Sequence, residues 1–124
     1  MIKSVKCVSI PVKDQQKALE FYTEKLGFKV LTDQPFDDSQ RWIELKIPGG
    51  GDTRVVLFTA DAHKSWIGGF LNITFHTDDL MKTYDLYRSR GVEFTAPPTQ
   101  EDWGSFALFK DLDGNMFCVS GRSL

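Results

Sequence analysis

The stretch Lys110-Asp-Leu-Asp-Gly-Asn-Met-Phe-Cys-Val-Ser120 joins two apolar runs, residues 106–109 and 116–119, through an Asp-Gly-Asn turn. Asp-Gly between alternating apolar residues is a strong hairpin signal, because glycine takes positive φ without steric cost. Beyond the turn, Phe117 and Val119 fall on one face of a strand, and Met116, Cys118 and Ser120 on the other. The elements that lead up to this hairpin occur twice in the chain.

Cys7-Val-Ser-Ile-Pro-Val-Lys-Asp14 overlays Asn72-Ile-Thr-Phe-His-Thr-Asp-Asp79. Each is a short strand that ends in an acidic residue suited to capping a helix. At the same offset Phe21 falls on Leu86 and Tyr22 on Tyr87. After a gap of one residue, Leu26-Gly27-Phe28 falls on Arg90-Gly91-Val92, so both helices end at a glycine. Ala18, Phe21, Tyr22 and Leu26 make one helix amphipathic, and Thr83, Leu86 and Tyr87 do the same for the other. Three strand-like runs follow each glycine, at residues 28–31, 42–47 and 54–59, then 92–95, 106–109 and 116–120. Residues 60–69, with two glycines at the end, read as the linker. The prediction is an α+β fold of two tandem βαβββ modules, about residues 5–60 and 71–120, forming a curved mixed sheet with a concave pocket within a single domain spanning 1–124.

Composition bounds what such a fold can do. The 124 residues are 41% hydrophobic and 13% aromatic, enough for a core. A net charge of -2 and scattered basic residues point away from nucleic acid and from anionic membranes. The first residues lack the apolar core of a signal peptide, and no apolar segment is long enough to span a bilayer. Cytoplasmic residence is the expectation, with Cys7 and Cys118 kept as thiols.

Strand alternation sorts the side chains. Val8, Ile10, Val12, Ile43, Leu45, Ile47, Val55 and Leu57 face the first helix. The opposite face carries Cys7, Ser9 and Pro11; Trp42, Glu44 and Lys46; and Arg54, Val56 and Phe58. In the second module it carries Asn72, Thr74 and His76 with Met116, Cys118 and Ser120. Mixed polar and aromatic faces of this kind line a ligand cavity or cover a dimer interface, and the pattern suits both.

Val12-Lys13-Asp14 leading to Phe21-Tyr22 and Leu26-Gly27-Phe28, with Asp111-Leu-Asp-Gly-Asn115 near the end, resembles the vicinal oxygen chelate superfamily. That superfamily includes glyoxalase I, extradiol dioxygenases, fosfomycin resistance enzymes and bleomycin resistance proteins. The likeness runs from about Val5 to Ser120, with Leu112 standing where the family motif usually has proline. The resemblance implies a homodimer and a small-molecule ligand. It also implies a divalent metal held by His or Gln, Glu, His and Glu at positions that here carry Cys7, Val56, Asn72 and Cys118. Valine has no donor atom, and hard or borderline metals favour imidazole and carboxylate. No cofactor is therefore expected, and standard glyoxalase I activity is not expected. The two thiols with His76 leave zinc as the one metal alternative, against a role for both cysteines as small buried residues.

The expected ligand pocket is Ser9, Trp42, Glu44, Arg54, Phe58, Thr74, His76 and Trp103. His76 and Glu44 are the candidates for general base or substrate anchor, if there is catalysis. The alternatives are a His76 bonded to its sheet neighbours and a Glu44–Arg54 pair exposed at an edge. Trp103, and Trp66 in the linker, suit stacking on a ligand or packing at a rim or interface, whereas His63 beside Lys64 reads as solvated. The loop 32–40 carries no readable signal. Metal-independent binding or sequestration of a small molecule is the leading reading. The alternative is a divergent lyase, dioxygenase or thiol transferase of the superfamily with an atypical metal site.

Overall fold

Asp14 and Asp79 each accept a backbone N–H from a helical first turn, Lys17 N at 2.9 Å and Lys82 N at 3.0 Å, so each module opens its helix as predicted. The computed structural model describes residues 1–59 and 61–124, without the side chains of 61 and 62; residue 60 of the expected linker lies outside them. The chain divides into two compact units, Met1–Ile67 and Gly68–Leu124. Among the described residues no helix is long and apolar enough to cross a membrane.

The first unit runs β1 (Cys7–Pro11), α1 (Gln15–Glu20), β2 (Lys29–Pro35), β3 (Arg41–Lys46) and β4 (Arg54–Phe58). The second runs β5 (Phe70–His76), α2 (Leu80–Ser89), β6 (Glu93–Glu101), β7 (Gly104–Lys110) and β8 (Met116–Gly121). Each unit builds a four-stranded mixed sheet, in the orders β1-β4-β3-β2 and β5-β8-β7-β6. The β1/β4 and β5/β8 pairs are parallel and the rest antiparallel. The two βαβββ modules are thus both present.

The one-residue gap between the repeats has a structural cause. In the second unit Val92 N donates to Tyr87 O and Gly91 N to Arg88 O, with Gly91 at φ +88°, the bonding of a Schellman motif. In the first unit the equivalent bond, Phe28 N to Tyr22 O, spans one residue more. That residue is absorbed in a π-helical turn, Phe21–Lys25, closed by Leu26 N to Phe21 O at 3.3 Å.

Alternation holds where the strands are covered. Ile10, Val12, Ile43, Leu45, Val55 and Leu57 are buried with Ala18, Phe21 and Tyr22 of the helix side. Val56, on the opposite face, is also buried. In the second unit Phe109 and Phe117, with ring centroids 5.6 Å apart, centre an aromatic core that includes Phe75 and Phe94.

Two edge strands are longer than their apolar runs predict. β2 reaches Pro35, so the unreadable loop shrinks to residues 36–40. β6 continues through Ala96-Pro97-Pro98 to Glu101, where register shifts either side of Ala96 accommodate the prolines; an edge strand spares the N–H that proline lacks. The Asp-Gly-Asn hairpin is likewise a wider connection than a two-residue turn. Residues 111–115 close it, with Asp111 N donating to Asn115 O at 2.9 Å. Asp111 Oδ1 accepts from the N–H groups of Asp113 and Asn115, and Oδ2 from Asn115 Nδ2, all at 2.9 Å.

Asp111 is buried, and its substitution by alanine would remove the acceptor of three hydrogen bonds. Asp111→Ala is expected to cost about 2–3 kcal/mol of stability, read as a lower midpoint in urea unfolding.

Candidate functional site

The helix-averted face of the first unit's sheet builds a cavity of about 300 Å³ lined by Ser9, Phe36, Gln40, Arg41, Trp42, Val56, Leu57, Phe58 and His63. Strand register explains the floor: Ser9 lies opposite Val56 across β1/β4, and Pro11 opposite Phe58. Trp42 reaches the same end of the sheet on β3, whose Ile43 pairs with Leu57.

The wall comes from the β2–β3 connection. Asp37 Oδ1 accepts from Ser39 N and Ser39 Oγ, both at 2.8 Å, and from Gln40 N at 2.9 Å. The Ser39 bonds, with Gln40 assisting, hold the Asp37 carboxyl below its ordinary pKa. Phe36 N and Asp37 N in turn donate to Gln40 O. This knot presents Phe36 to Trp42, ring centroids 5.9 Å apart.

Gln15, buried at the first turn of α1, fixes the strand beside that knot. Its Nε2 donates to Arg41 O at 2.8 Å and Leu57 O at 2.9 Å, and its Oε1 accepts from Arg41 N at 2.9 Å. The Arg41 guanidinium turns away to Asp33, bonded through Nε and Nη2, and to Gln16 through Nη1 at 2.8 Å.

His63 corrects the sequence reading. It is not a solvated linker residue: it sits on a 3₁₀ helix, Asp61–Trp66, and lines the cavity. Its ring meets Phe58 edge-on at 5.4 Å and lies 4.1 Å from the ring centroid of Trp66. The only sequence signal was the three-residue spacing of His63 and Trp66 on a helical turn. Phe36, Gln40 and Arg41 were also missed, since nothing in residues 36–41 announces a wall.

Of the expected pocket residues, Ser9, Trp42 and Phe58 come together here, joined by Val56. Glu44 lies opposite Val56 and Thr32, and Arg54 opposite Cys7, both outside the lining. On this sheet Arg41 pairs with Asp33, and among the described residues Glu44 and Arg54 make no ion pair.

Thr74, His76 and Trp103 belong to the second unit. His76 is exposed, with Nε2 3.5 Å from Asp78 Oδ1, at a polar cleft shared with Thr77, Arg122 and Ser123. Trp103 occupies the β6–β7 turn, 68% exposed, and stacks on Phe106 at 5.7 Å. Thr74 pairs with Cys118 across β5/β8; burial pushes the Cys118 thiol up, and the hydrogen bond with Thr74 only partly offsets it. Asn72 takes φ +57° where the β5 register shifts between Phe70 and Thr74, so the pairing breaks at that position.

The resemblance assigns metal ligands to positions that here carry Cys7, Val56, Asn72 and Cys118. Val56 offers no donor atom to a metal there. Among the described residues no three His, Cys, Asp or Glu side chains gather closely enough to hold a metal.

Residues 4–119 match the sequence model of the Glyoxalase/Bleomycin resistance protein/Dioxygenase superfamily, and the chain belongs to that superfamily. It is 40% identical over 119 residues to the uncharacterized protein YetH of Bacillus subtilis (strain 168), covering 96% of this chain and 98% of YetH. A superfamily member from Sphaerobacter thermophilus DSM 20745 superposes with a TM-score of 0.87 at 34% identity, over 97% and 98% of the two chains. TnmS3, an antibiotic binding protein from Streptomyces sp. CB03234, superposes with a TM-score of 0.86 at 35% identity, over 98% of both.

Because thiolate is the reactive form, Cys118 is expected to alkylate with iodoacetamide more slowly than free cysteine at pH 8 and to accelerate as pH rises further. Peptide mass spectrometry over time measures this, and a rate equal to free cysteine's would contradict the environment described.

Proposed function

We propose that this protein binds a small aromatic molecule in the first unit's cavity and sequesters it without a metal ion. The observation that carries the reading is the convergence of Phe36, Trp42, Phe58 and His63 on one cavity of ligand size. Aromatic walls hold flat ligands by stacking, worth about 0.5–1.5 kcal/mol per ring pair beyond the area buried. The likeness to an antibiotic binding protein supports binding rather than turnover. The reading places the protein in the cytoplasm, where Cys7 and Cys118 stay as thiols.

Binding is expected to show as saturable quenching of tryptophan fluorescence by a neutral planar probe such as fluorenone or fluorene. Trp42→Ala should weaken it about tenfold or more while melting stays near the parent's, since Trp42 is already 37% exposed. Absence of saturable quenching by both probes would overturn the reading. Stoichiometric metal in the purified protein, with a lower Tm on chelation, would instead favour a divergent superfamily enzyme.

The proposal extends to a homodimer, supported by the exposed edge strand β2, where Val30 and Leu31 are 45% and 46% exposed. Light scattering behind gel filtration should give twice the mass of one chain. The mass of a single chain would exclude the dimer and leave the binding reading intact.

A further inference from the structure

Gln40 lines the cavity, and its amide orientation is fixed by chemistry. Thr59 N donates to Gln40 Oε1 at 3.3 Å. A backbone N–H cannot donate to an amide NH₂, so the oxygen must face Thr59 and the NH₂ is left over. That NH₂ has no hydrogen-bond partner among the described residues. The residue is also held from behind. Its N–H is on Asp37 Oδ1, and its C=O accepts from Phe36 N at 3.1 Å and Asp37 N at 3.2 Å. The amide is therefore a preorganised donor beside a wall of rings.

The other polar lining residues sharpen the choice. Arg41 has its guanidinium committed to Asp33 and Gln16, so it brings no unpaired charge to the cavity. No carboxylate stands among the described lining residues to balance a cationic ligand. Ser9 supplies a hydroxyl that donates or accepts.

We infer that Gln40 is the specificity-determining residue of this cavity, selecting uncharged planar aromatic molecules that carry a carbonyl oxygen in the ring plane. Such a ligand stacks its face on the aromatic side chains and directs its in-plane lone pairs to the Gln40 NH₂. Aromatic ketones, lactones and lactams meet this description; hydrocarbons of the same shape do not. The inference rests on the binding reading above and deepens it.

Fluorenone and fluorene share one flat tricyclic outline and differ at a single position, C=O against CH₂. Gln40→Glu keeps the oxygen that Thr59 uses and replaces the free NH₂ by a second oxygen. The preference for fluorenone over fluorene, measured by fluorescence titration in the parent, is expected to fall about tenfold in this variant. Fluorene, which gives the NH₂ no acceptor, should lose far less affinity than fluorenone, and Tm should stay near the parent's. Gln40→Met, which removes the donor without adding charge, should lose the same preference and covers the case where the glutamate variant folds poorly. An unchanged preference in both variants, with both probes still bound, overturns the role of Gln40 and leaves aromatic binding standing. Failure of both probes to bind the parent overturns the binding reading, and this inference with it.

Discussion

A single buried amide ties three elements of the first unit together. Gln15 uses both its oxygen and its NH₂ on the backbone of Arg41 and Leu57, so the start of α1, the start of β3 and the end of β4 cannot shift separately. Breaking one of these bonds would leave a buried polar group without a partner, which costs more than the bond's net contribution. Trp42 follows Arg41 directly and Phe58 follows Leu57, so the clamp also sets the spacing of two rings. The cavity is thus a property of the backbone before it is a property of its side chains.

The elements that sequence reading recovers best are those fixed by local chemistry. Aspartate caps, amphipathic spacing in the helices and glycines at the helix ends all act within a few residues, and each appears twice. The face alternation of β3 and β4 was legible for the same reason. What was not legible depends on tertiary partners. The reach of β2 and β6 comes from pairing with β3 and β7 rather than from their own polar, proline-containing sequences. His63 has no local feature that marks it for an aromatic cavity; Phe58 precedes it in the chain and Trp66 follows, and only the 3₁₀ helix gathers the rings. The Asp37 knot, likewise, is a set of side-chain bonds that several turn sequences would satisfy.

The two units show how one topology serves different ends. In the first, aromatic residues on the uncovered face meet across register rows to enclose a space. In the second, the corresponding face presents Thr74, His76 and Cys118, and His76 borders a polar cleft instead of an aromatic one. Thr74 and Cys118 pair across the ladder, and their hydrogen bond only partly offsets the upward push of burial on the thiol.

The π-helical turn of the first unit also keeps the two repeats in step. One extra residue in a helix would otherwise turn every later residue about 100° around the axis. The widened turn at Phe21–Lys25 takes up that residue locally, so Leu26, Gly27 and Phe28 keep the places that Arg90, Gly91 and Val92 hold in the other copy. The turn thus marks the place where the sequences of the two halves must be realigned.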